Sequence, residues 1–180
     1  MIAGFLIFLA CTAAILGIIV GHEFGHFLAG AAVGVPLSEM KIRLLTFPPH
    51  VALRSEGRWL HPVHDFERYV SASTLLLNGR IRNGFFAAGG LLLQTFVFAA
   101  VVFASASAGV PRFWSVPIIC ALLALPCFYL VSDLSFTRRA KRPSGDFSAL
   151  WQLCPLASFT LTTFVLAVHW GGLVYILKHA

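Results

Sequence analysis

Four stretches of this chain stay apolar for about as long as a helix needs to cross a bilayer, and that leaves little choice of fold. A hydrocarbon core of about 30 Å takes about 20 helical residues to cross. The stretches are 2–35, 85–110, 113–131 and 155–177, bounded by Pro36, by Pro111 and by the dense charges after Phe136. Because of them, 58% of the 180 residues are hydrophobic and only 11% are charged. Soluble domains carry roughly 25% charged residues. A disordered tail, a nucleic-acid-binding module and a disulfide-stapled secreted scaffold are thereby excluded. The expectation is an all-α integral membrane protein, a single membrane-embedded domain over 1–180 with about four transmembrane helices in a lipid bilayer. Its first apolar run has no basic segment before it and resumes past a polar cluster at His22, so it reads as a retained span rather than a cleaved signal.

Thirteen Lys and Arg against seven Asp and Glu give a formal charge of +6. Topology accounts for this excess without a polyanionic partner. Lys41, Arg43, Arg54, Arg58, Arg68, Arg80 and Arg82 lie between spans one and two, and Arg138, Arg139, Lys141 and Arg142 between spans three and four. Only Arg112 and Lys178 fall on the other side. The positive-inside rule then places loops 36–84 and 134–146 in the cytoplasm and both termini outside, in what reads as a cell membrane. Within the long first loop, Met40-Lys41-Ile42-Arg43-Leu44 alternates apolar and polar residues, and Ser55-Glu56-Gly57-Arg58 is a turn signal inside Val51 to Leu60. A small interfacial β-hairpin or sheet is expected there. Cys11, Cys120, Cys127 and Cys154 lack metal or redox spacing and read as packing residues.

Chemistry concentrates in the first span, at His22-Glu23-Phe24-Gly25-His26. Residues four apart share a helix face, about 6 Å apart along the axis, so both imidazoles can reach one metal ion. Glu23 lies one step round, where a general base acting on a metal-bound water would sit. Ionisable residues inside a span are rare and default to a functional reading. The apolar run from Phe27 to Val35 separates His26 from the end of the span by about 15 Å. A catalytic zinc needs one more protein ligand. The remaining acids are Glu39, Glu56, Asp65, Glu67, Asp133 and Asp146; Asp133 and Asp146 flank the second basic loop, on the same side as the C-terminal half of span one. Asp146, after Pro143-Ser144-Gly145, opens a short helix that could dip back to the site. Gly89-Gly90 permits close helix approach, and Gln94 offers an amide to a substrate backbone. His61-Pro62-Val63-His64-Asp65 carries ligand-type residues but lies in a loop, without a helix to align them.

These residues resemble the site-2 protease family of intramembrane zinc metalloproteases. The resemblance is carried by His22-Glu23-Phe24-Gly25-His26-Phe27-Leu28-Ala29 with Gly34-Val35 following, by the stretch from Arg82 to Gln94, and by Val131-Ser132-Asp133-Leu134-Ser135 with Ser144-Gly145-Asp146. It implies Zn2+ held by His22, His26 and Asp146, with Glu23 as catalytic base. Gln94 and Asp133 would orient the substrate, a transmembrane protein or peptide cut during regulated intramembrane proteolysis. Asp133 stands where the family favours Asn, and Phe147 where it favours Gly, which leaves the third ligand open between Asp146 and Asp133. Two other classes remain beside the protease: a non-catalytic metal-binding relative acting as a membrane scaffold, and a small metal or proton transporter.

Overall fold

The computed structural model describes residues 2–179. In chain order it holds α1 (Ile2–Ala32), a 3-10 turn (Leu37–Glu39), β1 (Met40–Arg43), β2 (His50–Ser55) and β3 (Arg58–Leu60). There follow α2 (Phe66–Leu77), α3 (Arg80–Ser107), α4 (Arg112–Ala140), α5 (Asp146–Leu153) and α6 (Pro155–His179). The helices α1, α3, α4 and α6 are each long and apolar enough to cross a membrane. Most of the large side chains exposed on them are apolar, Phe5, Phe8, Phe96, Phe103, Phe128 and Phe159 among them. Such surfaces suit hydrocarbon and would be costly in water.

Local chemistry sets the boundaries. The helix α1 ends where Gly34 takes a φ of +94°, with Val35 N–H donating to Gly30 O (2.9 Å) and Gly34 N–H to Ala31 O (3.0 Å). That is a Schellman ending, with glycine at the left-handed position. Glu56 and Gly57, both at positive φ, form the tight turn that pairs β2 with β3, Ser55 opposite Arg58. Such two-residue turns match the twist of a hairpin. The sheet runs β1-β2-β3, all antiparallel, with Met40 opposite Leu53 and Arg43 opposite His50. Its Met40, Val51 and Leu53 pack with Val35, Leu77 and Phe86, sealing the ends of α1 and α3. At Cys154-Pro155 the chain breaks α5 from α6. Pro155 starts the new helix, where its missing N–H costs nothing, and Cys154 before it is extended.

Several helix boundaries differ from those expected, by one to nine residues. The third span was expected to end at 131, but α4 runs on to Ala140, so the connector of 134–146 shrinks to residues 141–145. Charge ends the lipid-compatible part of a helix, not the helix itself, and Arg138 and Arg139 in the last turn favour its carbonyl end. The helix α3 likewise begins at Arg80 rather than 85, and α1 stops at Ala32 rather than 35. The twelve-residue α2 lies inside a loop for which the sequence pointed to a small hairpin or sheet and signalled no helix.

Two features of the packing place the site. The helices α1 and α3 cross backbone to backbone, since a Cβ on Gly25 would stand 2.3 Å from Gly89 O and one on Gly89 2.6 Å from Gly25 O. Any side chain at either position would push them apart. The short α5 is lodged by Phe147 and Leu150 among Ala87 and Leu91 of α3 and Val165 of α6. Its first residue is thereby turned toward α1.

Candidate metal centre

His22 and His26 stand one turn apart on α1, both buried, with their Nε2 atoms 3.1 Å apart. Asp146, the first residue of α5, brings Oδ2 to 2.9 Å from His22 Nε2 and 3.1 Å from His26 Nε2. The far side of each ring fixes its tautomer. His26 Nδ1–H donates to the Phe86 carbonyl (2.8 Å), and His22 Nδ1–H donates to Gln94 Oε1 (2.9 Å). A carbonyl oxygen can only accept, so each neutral ring keeps its proton on Nδ1 and turns a lone pair outward at Nε2.

Three lone pairs therefore meet at mutual distances of 2.9–3.1 Å. A single proton could satisfy only one of the three contacts, whereas one cation satisfies them all. Tetrahedral ligands about 2.0–2.1 Å from zinc lie about 3.3 Å from each other, close to the spacing here. Among the described residues this is the one group of His, Cys, Asp or Glu whose ligand atoms converge, and it could hold a metal ion. Gly90 bounds the space beside it, for a Cβ there would come 2.4 Å from His26 Nε2 and 2.8 Å from His22 Nε2. The Gly89-Gly90 pair thus does two jobs: Gly89 lets α1 approach, and Gly90 keeps the ligand atoms clear.

Glu23 is 6% exposed, and its carboxylate lies within electrostatic reach of His22, His26 and Asp146. No hydrogen bond from a described residue engages it. Gln94 is 3% exposed; its Oε1 holds His22, and its Nε2 has no partner among the described residues. A buried amide donor without an acceptor is rare enough to need a reason.

Of the two acids left open by the sequence, the structure turns Asp146 toward the histidines and Asp133 away from them. Asp133, buried on α4, accepts the Ser148 N–H (2.9 Å) and the hydroxyls of Ser148 (2.5 Å) and Thr137 (3.0 Å). It thereby holds the start of α5. Sequence reasoning missed Tyr129, whose hydroxyl donates to Asp146 Oδ2 (3.1 Å) and whose ring meets His22 edge-on. Its signal was a polar residue every four positions, Tyr129, Asp133 and Thr137, on one face of a largely apolar helix.

The other histidine cluster is built differently. His61 Nδ1 accepts the N–H groups of Val63 (3.0 Å) and His64 (3.3 Å), so its proton sits on Nε2 and no lone pair is free to bind a metal. Burial, with His50 and His64 close by, pushes its pKa down to about 4. His61 also donates its backbone N–H to Asp65 (3.0 Å), and the segment serves as the corner between β3 and α2. No protein-family model, curated protein or solved structure matches this chain, so its own side-chain geometry carries the functional argument.

Proposed function

We propose that this chain is a zinc-dependent intramembrane endopeptidase, similar in chemistry to the site-2 proteases, hydrolysing a peptide bond of a membrane-spanning protein. The observation that carries this reading is the meeting of three lone pairs, from His22, His26 and Asp146, beside a buried glutamate that no described residue engages by a hydrogen bond. Zinc suits two imidazoles and one carboxylate oxygen, and when bound it acidifies water and polarises a carbonyl. Charge agrees, because a dication with ionised Asp146 and Glu23 sums to zero, and a neutral cluster is far less costly to bury than separated ions.

The residues supply proton transfer and orientation. Hydrolysis forms a C–O bond from water to the scissile carbon and breaks the C–N bond. Glu23 takes one water proton on its carboxylate and hands it to the departing amine nitrogen, so it finishes ionised as it began. Gln94 Nε2 has N–H groups to offer a substrate carbonyl, while its Oε1 keeps the His22 tautomer. A helix shields its own peptide bonds, so the substrate must unwind locally. Strand β1, paired on one side only, offers an edge along which an extended segment can lie. The basic loops orient the site toward the cytoplasm.

The test uses the full chain, purified in detergent without chelators, with metal analysis beside cleavage of single-span reporter proteins. Wild type is expected to hold one zinc. Glu23→Gln should keep that zinc and cut at least about 10²-fold more slowly, the usual weight of a general base. His22→Ala should lose metal and cleavage together. A metal-free wild type, or Glu23→Gln cutting at the wild-type rate, refutes the proposal; uptake of metal or protons into vesicles without cleavage would point to the transporter instead.

A further inference from the structure

Tyr129, Asp133 and Thr137 are spaced by four on α4 and so share one face. All three reach into the five residues 144–148. Thr137 Oγ1 accepts the Ser144 N–H (3.1 Å) and donates to Asp133 Oδ1 (3.0 Å). Asp133 accepts the backbone N–H and the hydroxyl of Ser148. The Tyr129 hydroxyl accepts the Asp146 N–H (3.1 Å) and donates to Asp146 Oδ2 (3.1 Å). Backbone N–H groups in a first helical turn have no partner within their own helix. Here a neighbouring helix supplies the acceptors. Gly145 makes the close approach possible, since a Cβ there would stand 2.8 Å from the Asp133 carboxyl carbon and 3.0 Å from the Tyr129 hydroxyl.

We infer that this ladder is a positioning device for the third metal ligand, with Tyr129 its decisive rung. The inference rests on His22, His26 and Asp146 binding a cation. Asp146 follows a short connector and opens an eight-residue helix, so nothing in its own element fixes its carboxylate. Tyr129 grips it at both ends, by the backbone N–H and by Oδ2, and Oδ2 is the oxygen that faces both imidazoles. The same ring meets His22 edge-on, with centroids 5.5 Å apart, so one side chain sets the distance between α1's ligand and α5's. Tyr129 is a positioning residue and takes no part in proton transfer.

The test is Co2+ binding to the full chain in detergent, by chelator competition and visible absorption, with thermal melting of the metal-free protein alongside. Tyr129→Phe removes the hydroxyl and keeps the ring. It should bind Co2+ about 10–100-fold more weakly, the usual effect of losing a ligand's outer partner. Its visible spectrum should change while the metal-free melt stays near wild type. Thr137→Val, nearly isosteric and two rungs from Asp146, should show a smaller loss in the same direction. Wild-type affinity and spectrum in Tyr129→Phe overturn the inference and leave the metal reading standing. A wild type that binds neither Co2+ nor Zn2+ overturns the metal reading, and the ladder's role with it. Should Tyr129→Phe fail to fold, Thr137→Val decides: weakened binding with an unchanged melt supports the ladder, and unchanged binding overturns it.

Discussion

Replacing Gly90 with alanine isolates the proposed metal centre from the fold around it. The new Cβ would stand 2.4 Å from His26 Nε2 and 2.8 Å from both Cε1 and Nε2 of His22. Restoring ordinary contact near 3.4 Å requires Nε2 of His26 to retreat by about 1 Å, whereas metal–ligand distances tolerate only about 0.2 Å. The ring cannot simply swing aside, because its Nδ1–H is held by the Phe86 carbonyl on the same helix as Gly90. Moving α3 away instead would open the Gly25–Gly89 crossing. A displacement several times the tolerance should weaken metal binding at least as much as losing a ligand's hydrogen-bond partner does, about 10–100-fold or roughly 1.4–2.7 kcal/mol. Helix propensity works the other way, since alanine in a helix interior is favoured over glycine by about 1 kcal/mol. Gly84→Ala, on the same helix with nothing within 4 Å of the new Cβ, controls for that gain and should keep its metal. Metal analysis and chelator competition on the purified variants, with melting of the metal-free forms, separate the two effects. Wild-type metal affinity in Gly90→Ala would refute the placement of the cation between these imidazoles.

Gln94→Leu takes away the acceptor that holds His22 Nδ1–H, frees the ring to change tautomer and should weaken metal binding about 10–100-fold, measured by the same competition; unchanged affinity would show that the amide serves something else. A pH response is expected at the sheet corner, away from the proposed metal site. The folded His61 has its pKa lowered to about 4, so as pH falls below the ordinary value of about 6.5 the unfolded segment takes up a proton first. The stability of the corner is therefore full above that value and is lost progressively down to about 4. Amide exchange of residues 61–65 should accelerate over this window, and an NMR titration of His61 with a midpoint near 6.5 would contradict the reading.

How much of this was legible depends on how far apart in the chain the cooperating residues lie. The pair His22 and His26 with Glu23 between them needs only helical periodicity, and the structure sets both imidazoles on one side of α1. The Glu56-Gly57 turn was equally local, because Gly57 takes its positive φ at no steric cost and so marks the turn, although Glu56 beside it also sits at positive φ. Hydropathy located the spans but misjudged their ends, for it registers where lipid stops rather than where backbone hydrogen bonding stops. Hence Asp133 fell two residues past the expected end of the third span, flanking the basic loop, although α4 continues seven residues past it and buries it. The helix α2 was hidden for a related reason: in a loop read as polar and strand-forming, its two buried positions, Ala72 and Leu77, left a faint period.

The sequence favoured Asp146 over Asp133 as the third ligand but left the choice open, for a different reason. Both are acids on the same side of the membrane-crossing helices, and either could have met the histidines. What separates them is the company each keeps. Asp133 is met by three donors, from Ser148 and Thr137, and a carboxylate so engaged has little left to give a cation. Asp146 has one hydroxyl on Oδ2, from Tyr129, and that same oxygen faces two imidazole lone pairs. The hydrogen bonds of one acid thus aim the other, a relation between α4 and α5 that comes into being only once both helices are packed against α1 and α3.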